Sequence, residues 1–263
     1  MSKRIEMINM FYGAYNEDTR LIRSRHGQLE YVTTMNYIHR YAKAGDRILE
    51  IGAGTGRYSI ALAKESYNVT AVELVEQNCD ILKNNSTGIK NIHSFQGDAL
   101  DLGRFSDNEF DITMSLGPLY HLYDAGDVHR AFDEAVRVTR LGGVIIVAFL
   151  SVHSILLNNY LKGNLELGLN ENFTSDYKVR HFEKQMFTGY RIVEFEQLFE
   201  QKNIQHITTV ATDSVLELAE ERNDFIMSDE EFELFVKYHL STCETRELLG
   251  SSSHLLYICR KIG

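Results

Sequence analysis

The 263-residue sequence is short of cysteine and proline and contains no tryptophan. Its three cysteines, Cys79, Cys243 and Cys259, show no C-x-x-C spacing and are too few for a disulfide framework. Because reduced thiols are typical of the cell interior, we expect a cytoplasmic protein. The single proline, Pro118, marks one position where the backbone has a fixed φ and lacks a donor.

Positive charge and long apolar runs are also scarce. Lys and Arg number 27 against 37 Asp and Glu, a net charge of −10, so a nucleic-acid partner is not favoured. No segment approaches the roughly 20 apolar residues of a membrane span, and we expect no membrane association. The ten histidines include no H-x-x-x-H pair and none at ligand spacing from a cysteine, so no metal site is predicted.

Strand-like and helical patterns alternate along the first part of the chain. Such βα repeats with apolar strands predict an α/β fold whose mostly parallel sheet is covered by helices on both faces. Ligands of such sheets bind beyond the carboxyl ends of the strands. Strands are predicted at 47–51, 68–74, 91–95, 110–116 and 144–149, with a final pair at 204–212 and 254–260.

A glycine-rich turn follows the first predicted strand. Residues 50–56 read Glu-Ile-Gly-Ala-Gly-Thr-Gly, and glycine suits a tight turn where a ligand lies against bare backbone. A dinucleotide loop would carry its third glycine at position 57, which is Arg57 here. Glu50 would repel a pyrophosphate but suit a cationic ligand.

Two further acids lie at or just after the ends of predicted strands, at the same edge of the sheet. Glu73 lies 21 positions after Gly52, where a carboxylate can accept hydrogen bonds from ribose hydroxyls. Asp98 follows the third strand. An acid at the end of the second strand also occurs in NAD proteins, so Glu73 indicates a nucleoside without selecting the cofactor.

The segment from Glu50 to Gly56 resembles the first motif, [DE]-x-G-x-G-x-G, of the class I S-adenosylmethionine-dependent methyltransferases. Residues 137–143 are similar to the R-V-L-K-P-G-G segment of many members, with Leu141 in place of the usual proline. The resemblance covers about residues 45–150 and implies a Rossmann-like, seven-stranded, mostly parallel sheet with helices on both faces. It also implies S-adenosylmethionine as cofactor and S-adenosylhomocysteine as product.

The same resemblance assigns roles around the cofactor. An acid at the place of Asp98 accepts from the adenine amino group, and the next backbone N–H, that of Ala99, donates to the ring. The predicted cofactor-binding residues are Tyr12, Tyr15, Glu50, Gly52, Ala53, Gly54, Gly56, Glu73, Leu74, Asp98, Ala99 and Leu116.

The end of the fourth strand is expected to carry the acceptor chemistry. It reads Ser-Leu-Gly-Pro-Leu-Tyr-His-Leu over residues 115–122, and it lacks the [DN]-P-P-[YFW] motif of the methyltransferases that modify amino groups of bases. His121 is a candidate proton acceptor, and Tyr120 a candidate for positioning the acceptor. The alternative is that both side chains only pack inside the following helix.

The segment before the sheet holds eight Lys and Arg against five Asp and Glu over residues 1–47. In similar proteins such a leader folds over the cofactor. We therefore predict that Tyr12 and Tyr15 cover the ligand and that Arg20, Arg23 or Arg25 meets its carboxylate. The alternative is a solvated basic helix start.

We predict one methyltransferase domain over residues 1–263. Its parts are a lid at 1–46, a cofactor-binding core at 47–150, and acceptor-side insertions at 151–188 and 213–253. Residues 191–249 carry five Lys and Arg against fourteen Asp and Glu, which would favour an amine acceptor unless the acids only form solvated helix starts.

The predicted function is transfer of a methyl group from S-adenosylmethionine to a small-molecule acceptor by in-line displacement. Two alternatives remain: a non-catalytic S-adenosylmethionine-binding protein, and an NAD-dependent oxidoreductase, which Arg57 in place of the third glycine disfavours. No residue pattern indicates the acceptor or the oligomeric state.

Overall fold

The computed structural model describes residues 3–14, 17–183 and 185–263. Their strands form one eight-stranded sheet in the order β3-β2-β1-β4-β5-β8-β7, with β6 beside the end of β5. The strands are β1 Arg47–Ile51, β2 Asn68–Glu73, β3 Ile92–Gln96, β4 Phe110–Ser115, β5 Thr139–Ser151, β6 Gly189–Tyr190, β7 Ile204–Ala211 and β8 His254–Lys261.

Strands β1 to β5 pair in parallel, whereas β8 runs antiparallel between β5 and β7. The central strands are apolar along nearly their whole length because helices cover both faces. Two hydrophobic cores result, one on each face. Phe132, Phe149 and Phe195 belong to the first core, and Tyr37 and Leu62 belong to the second.

Eleven α-helices lie within the described residues, and none of them is both long and apolar enough to cross a membrane. Two short 3₁₀ helices lie at Glu17–Thr19 and Pro118–His121. The α-helices are α1 Lys3–Ala14, α2 Arg25–Tyr41, α3 Arg57–Lys64, α4 Glu76–Asn85, α5 Ala125–Val138, α6 Val152–Tyr160, α7 Leu165–Asn172, α8 Ile192–Gln197, α9 Leu216–Glu220, α10 Asp229–Thr242 and α11 Arg246–Leu249.

The predicted fold class is confirmed, but the sheet has eight strands rather than seven. The additional strand is β6, in which Gly189 and Tyr190 pair in parallel with Leu150 and Ser151. A side chain at Gly189 would approach the backbone of Val152 within 2.7 Å. Two residues of strand carry too little periodicity for a sequence pattern to reveal.

The start of β5 also differs from expectation. The sequence predicts the fifth strand over residues 144–149, after the two glycines at 142 and 143, whereas the strand already begins at Thr139. The Thr139 hydroxyl donates to Ala135 O at 2.6 Å, and a register irregularity between Phe110 and Ile112 accommodates the following residues. Tertiary pairing with β4 therefore overrides the local turn signal.

Candidate functional site

The glycine turn after β1 lies at the carboxyl edge of the sheet, as the sequence predicts. The backbone N–H groups of Gly52 and Ala53 both donate to Val72 O, which ties the turn to β2. Gly52 has φ +76°, and a Cβ at this position would lie 2.6 Å from Pro118 Cδ. Both the dihedral angle and the contact exclude a side chain at position 52. Because Gly52 has none, the chain's only proline can pack directly on the turn.

The other two glycines of the motif have different surroundings. Gly54 has φ +55°, and a Cβ there would lie 3.2 Å from Glu17 Cγ, so the N-terminal segment lies against the turn. Gly56 has φ +91°, and a Cβ there would lie 2.1 Å from Leu82 Cδ1. Gly56 is therefore required for packing of α3 against α4, whether or not it contacts a ligand.

Glu50, at the end of β1, is buried to 1% exposure and accepts a hydrogen bond from the Ser59 hydroxyl. Burial, with a smaller contribution from Glu73, raises its pKa to about 8, although the Ser59 bond acts in the opposite direction. The ionised form of such a buried carboxyl group is unfavourable until a positive charge approaches it. The turn thus presents an acid that favours a cationic ligand.

Glu73 and Asp98 extend this acidic edge. The two oxygens of Glu73 accept from Gly54 N at 2.7 Å and from Val75 N at 2.8 Å, so the acid also holds the turn. Asp98 accepts from Leu100 N at 3.1 Å and pairs with Arg4 of α1. Each carboxylate oxygen has a second lone pair, so these bonds leave capacity for ligand hydroxyl and amino groups.

One cavity joins these strand ends, with about 910 Å³ of empty space that includes part of the open solvent. It is lined by ten of the predicted cofactor-binding residues, but not by Gly56, and Tyr15 lies outside the described residues. The predicted Tyr120 and His121 also line it. The ten are Tyr12, Glu50, Gly52, Ala53, Gly54, Glu73, Leu74, Asp98, Ala99 and Leu116.

His121 lies between α1 and the segment before β6. Its Nδ1 donates to Met186 O at 2.8 Å, so its Nε2 accepts from the Tyr12 hydroxyl at 2.9 Å. Burial lowers the pKa of His121 to about 4, partly offset by the Met186 bond. A neutral imidazole with both nitrogens bonded can hold Tyr12 in place, and the role as a base stays a prediction.

A second, larger cavity adjoins the first and shares Tyr12, Glu17, Arg20 and Tyr120 with it. Its empty space, again partly open to solvent, is about 1590 Å³. Residues from the segment 151–188 supply much of its wall, and their role on the acceptor side stays a prediction. Other lining residues include Phe11, Ile155, Asn158, Phe187, Ser253 and His254.

Arg20 stands where the two cavities meet. Its Nε donates to Glu17 at 2.9 Å, and its terminal nitrogens donate to both oxygens of Glu30 at 2.7 and 3.0 Å. Burial raises the pKa of Glu17, whereas Arg20 and His254 outweigh the same effect at Glu30 and lower its pKa. Of the three arginines predicted to meet a ligand carboxylate, Arg20 is thus the one that lines both cavities.

The other two arginines lie further from the glycine turn. Arg23 lines only the larger cavity, and Arg25 donates to Asp229 of α10 at 2.5 Å. The guanidinium of Arg25 also lies over the Phe232 ring, 4.7 Å from its centroid. Contact between one of these arginines and the carboxylate of the ligand therefore stays a prediction. Arg20 is the arginine best placed for it.

A group the sequence analysis missed lies behind Arg20. Glu30, Asp213 and His254 have ligand atoms within 4.8 Å of one another, a spacing that a metal ion could use. Arg20 already occupies both oxygens of Glu30, however, and His254 Nδ1 donates to Asp213 at 2.8 Å. The group is therefore arranged as an ion-pair network.

The ends of the last two predicted strands could have indicated part of this network. Asp213 follows the segment 204–212 directly, and His254 begins the segment 254–260. Since the two strands were expected to pair antiparallel, their adjoining ends imply that these residues are neighbours. Glu30 lies on a helix far away in sequence and carries no such signal.

Known sequences resemble one part of this chain, whereas solved structures resemble nearly all of it. Residues 49–147 match the sequence model of a family described as a methyltransferase domain. A demethylmenaquinone methyltransferase from Clavibacter sepedonicus is 30% identical over 152 residues, which cover 57% of this chain and 59% of that relative. The chain therefore spans less than two thirds of the length of this curated relative.

Solved structures resemble the chain over nearly its whole length. A chain from a Haloferax volcanii complex between a methyltransferase activator and a putative methyltransferase has a TM-score of 0.62 and 16% identity, covering 97% of each chain. A Thermotoga maritima S-adenosylmethionine-dependent methyltransferase, described as a possible histamine N-methyltransferase, has a TM-score of 0.57 and 18% identity, covering 97% of this chain and 99% of that one. At these identities the similarity establishes the fold.

Proposed function

We propose that the chain transfers a methyl group from S-adenosylmethionine to a small-molecule acceptor, because residues 49–147 match a methyltransferase-domain family and the fold is that of S-adenosylmethionine-dependent methyltransferases. S-adenosylhomocysteine is the product. The observation that carries the proposal is the cavity at the carboxyl edge of the sheet, where Glu50, Glu73 and Asp98 come from the ends of three neighbouring strands.

The residues of this cavity fit the proposed cofactor. Glu73 and Asp98 would accept hydrogen bonds from the ribose hydroxyls and the adenine amino group, and Leu74 and Ala99 would contact the nucleoside. The glycine turn would lie against the methionine part, with Glu50 favouring its positive charge. When bound, the cofactor supplies an electrophilic methyl group on a sulfonium.

An NAD-dependent activity is disfavoured by Glu50. A pyrophosphate binds where backbone N–H groups point at it from a helix N-terminus. Here Glu50 stands at the start of the turn that precedes α3, and the Gly54 N–H already donates to Glu73. Repulsion between ionised Glu50 and a phosphate would oppose dinucleotide binding.

The N-terminal segment is proposed to act as the lid of the cofactor cavity. Arg4, Ile8 and Tyr12 of α1 line that cavity, and Tyr12 is held by His121. Replacing Tyr12 by Phe removes this hydrogen bond while keeping the ring, so the affinity for S-adenosylhomocysteine should fall about threefold to tenfold. An unchanged affinity would argue that the bond does not order the lid.

The acceptor is proposed to enter the larger cavity, where Tyr120 would face both ligands. The segments 151–188 and 213–253 would then form the acceptor side of one domain spanning residues 1–263. The name of the Clavibacter relative indicates its own acceptor, demethylmenaquinone. Because that match covers only 57% of this chain, the acceptor proposed for this chain is a small molecule of unspecified kind.

A cytoplasmic location is proposed from the thiols. Cys79, Cys243 and Cys259 are buried and free, which suits a reducing compartment.

The direct test is turnover. The chain is incubated with S-adenosylmethionine and a panel of metabolites, and formation of S-adenosylhomocysteine is measured. Acceptor-dependent product formation is expected, and in Glu50→Gln it should require about thirtyfold more S-adenosylmethionine. Tight cofactor binding without turnover on any acceptor would favour the alternative of a non-catalytic S-adenosylmethionine-binding protein.

A further inference from the structure

His254 lines the larger cavity at the point where β8 begins. Its Nδ1 lies 2.8 Å from Asp213 Oδ2, and its backbone N–H also points to that carboxylate. Within residues 3–14, 17–183 and 185–263, Nε2 has no hydrogen-bond partner. One ring nitrogen is therefore fixed by an acid, and the other remains for a ligand in the cavity.

The surroundings keep this imidazole charged. Burial alone would lower the pKa of His254, but Glu30 and Asp213 raise it to about 9. Asp213 is completely buried, and its Oδ1 accepts from the Ser252 hydroxyl and from Ser253 N at 2.9 Å. A protonated imidazole carries a hydrogen on both nitrogens, so Nε2 is a charged donor rather than a proton acceptor.

Positive groups line the larger cavity near His254, and the acids that pair with two of them lie outside its lining. Arg20, Arg23 and His254 line the larger cavity, whereas Glu30 and Asp213, which pair with Arg20 and His254, are not among its lining residues. The side of the cavity next to His254 thus presents positive groups.

Three acids also line the cavity, and each already has a donor. Glu171 accepts from the Tyr160 hydroxyl at 2.6 Å, and Glu217 accepts from Asn158 at 2.7 Å. Glu17 accepts from Arg20 and lies against the glycine turn. These contacts leave the Nε2–H of His254 as a charged donor that is open to a ligand.

An aromatic wall lies close to this donor. The rings of Tyr120 and His254 have centroids 6.3 Å apart, and Phe187 lies 6.2 Å from Tyr120. Phe11 packs edge-on to Phe187 at 5.4 Å. A flat, apolar ligand body can pack along these rings while a polar group at its end reaches His254.

We propose that the larger cavity binds an aromatic acceptor that carries an oxyanion, and that the Nε2–H of His254 donates a hydrogen bond to that oxyanion. The proposal rests on the proposed function, because it names the acceptor class for the same site. A phenolate and a carboxylate share this chemistry, and the experiment has one arm for each.

The test measures binding of four probes to the full chain, with and without S-adenosylhomocysteine. The anionic probes are para-nitrophenolate and benzoate, the neutral probe is para-nitroanisole, and the cationic probe is para-nitrobenzylammonium. The wild-type chain should bind at least one anionic probe about tenfold or more tightly than para-nitroanisole. His254→Gln should lose about tenfold or more of that affinity and leave para-nitroanisole within about twofold.

His93→Gln provides the matched control, because His93 is exposed on β3, away from this cavity. It should bind all four probes as the wild type does. Equal binding of anionic and neutral probes by the wild type, preference for the cationic probe, or an unchanged anion affinity in His254→Gln would each overturn the proposal. Anion binding without S-adenosylhomocysteine binding would instead contradict the proposed function alone.

A measurement on the unmodified chain covers the case in which His254→Gln fails to fold. Affinity for para-nitrophenolate should fall as the pH rises through about 9, where His254 loses its proton. The other ionisable groups near this imidazole are Arg20, Glu17, Glu30, Asp213 and Tyr120. Burial raises the pKa of Tyr120 and acidic partners raise that of Arg20, so neither loses its proton near that pH. A constant affinity across this range would contradict the proposal.

Discussion

The cavity at the glycine turn and the larger cavity share a wall but are built in different ways. In the first, Glu50, Glu73 and Asp98 each stand at the end of one of three adjacent parallel strands, within a span of 49 residues. The larger cavity instead draws on α1, the segment 151–188 and the start of β8. The first is set by a local repeat of strand, turn and helix, whereas the second depends on tertiary packing of distant segments.

The largest effect is expected at Gly52. A Gly52→Ala variant must accept φ +76° and a Cβ 2.6 Å from Pro118 Cδ, so cofactor affinity should fall by about a hundredfold and unfolding free energy by about 2 to 4 kcal/mol. Gly45→Ala is the matched control, because Gly45 has φ +84° but nothing within 4 Å of the added Cβ. The stability lost in Gly45→Ala therefore measures the cost of backbone strain alone.

Calorimetric binding and denaturant unfolding of the two glycine variants separate strain from contact. If Gly45→Ala loses as much stability as Gly52→Ala, the packing of Pro118 on the turn contributes little. If Gly52→Ala binds the cofactor as the wild type does, the turn is not the binding element.

A smaller effect is expected from Glu50→Gln. Removing the acid beside a cationic ligand should weaken S-adenosylmethionine binding by about thirtyfold, or roughly 2 kcal/mol. Without ligand the variant should be at least as stable at pH 8 as the wild type, because Gln replaces a buried group that is partly ionised there. Glu76→Gln, on an exposed position of α4, should change neither property.

The pH dependence of stability follows from the same group. The pKa of Glu50 is raised in the folded chain to about 8, so its favourable contribution is complete below the unfolded pKa and is lost as the pH rises through about 8. Denaturant unfolding from pH 5 to pH 9 should show this loss in the wild type and less of it in Glu50→Gln. Parallel curves for the two proteins would contradict the assignment.

The pH dependence of binding has the opposite direction. A cationic ligand favours the ionised form of Glu50, so ligand binding should release protons below about pH 8. In that range the affinity should increase by up to about tenfold for each unit by which the pH rises. Calorimetry in buffers of different ionisation enthalpy measures the released protons. If no protons are released, the positive charge of the ligand does not act on Glu50.

The smallest effect on cofactor binding is expected on the acceptor side. Phe187 lines the larger cavity and not the smaller one, so Phe187→Ala should keep S-adenosylhomocysteine affinity within about threefold while lowering the affinity for aromatic probes by about tenfold. A loss of cofactor affinity equal to that of Glu50→Gln would remove the distinction between the two cavities.

The sequence supports the parallel half of the fold and the acidic edge well, because strand periodicity, the glycine turn and the acids after β2 and β3 are local signals. It does not indicate β6, whose two residues form a strand only by pairing with Leu150 and Ser151. The Arg20–Glu30 contact likewise depends on how α2 packs, and the bonds of His121 to Tyr12 and Met186 join three distant segments. Such contacts have no period or spacing from which they could be inferred.

Titration of the wild-type chain with S-adenosylmethionine and with NAD tests the central claim most directly. We expect saturable binding of S-adenosylmethionine with proton release below pH 8, binding about thirtyfold weaker in Glu50→Gln, and no binding of NAD. Saturable binding of NAD, together with no heat from S-adenosylmethionine, would contradict the account.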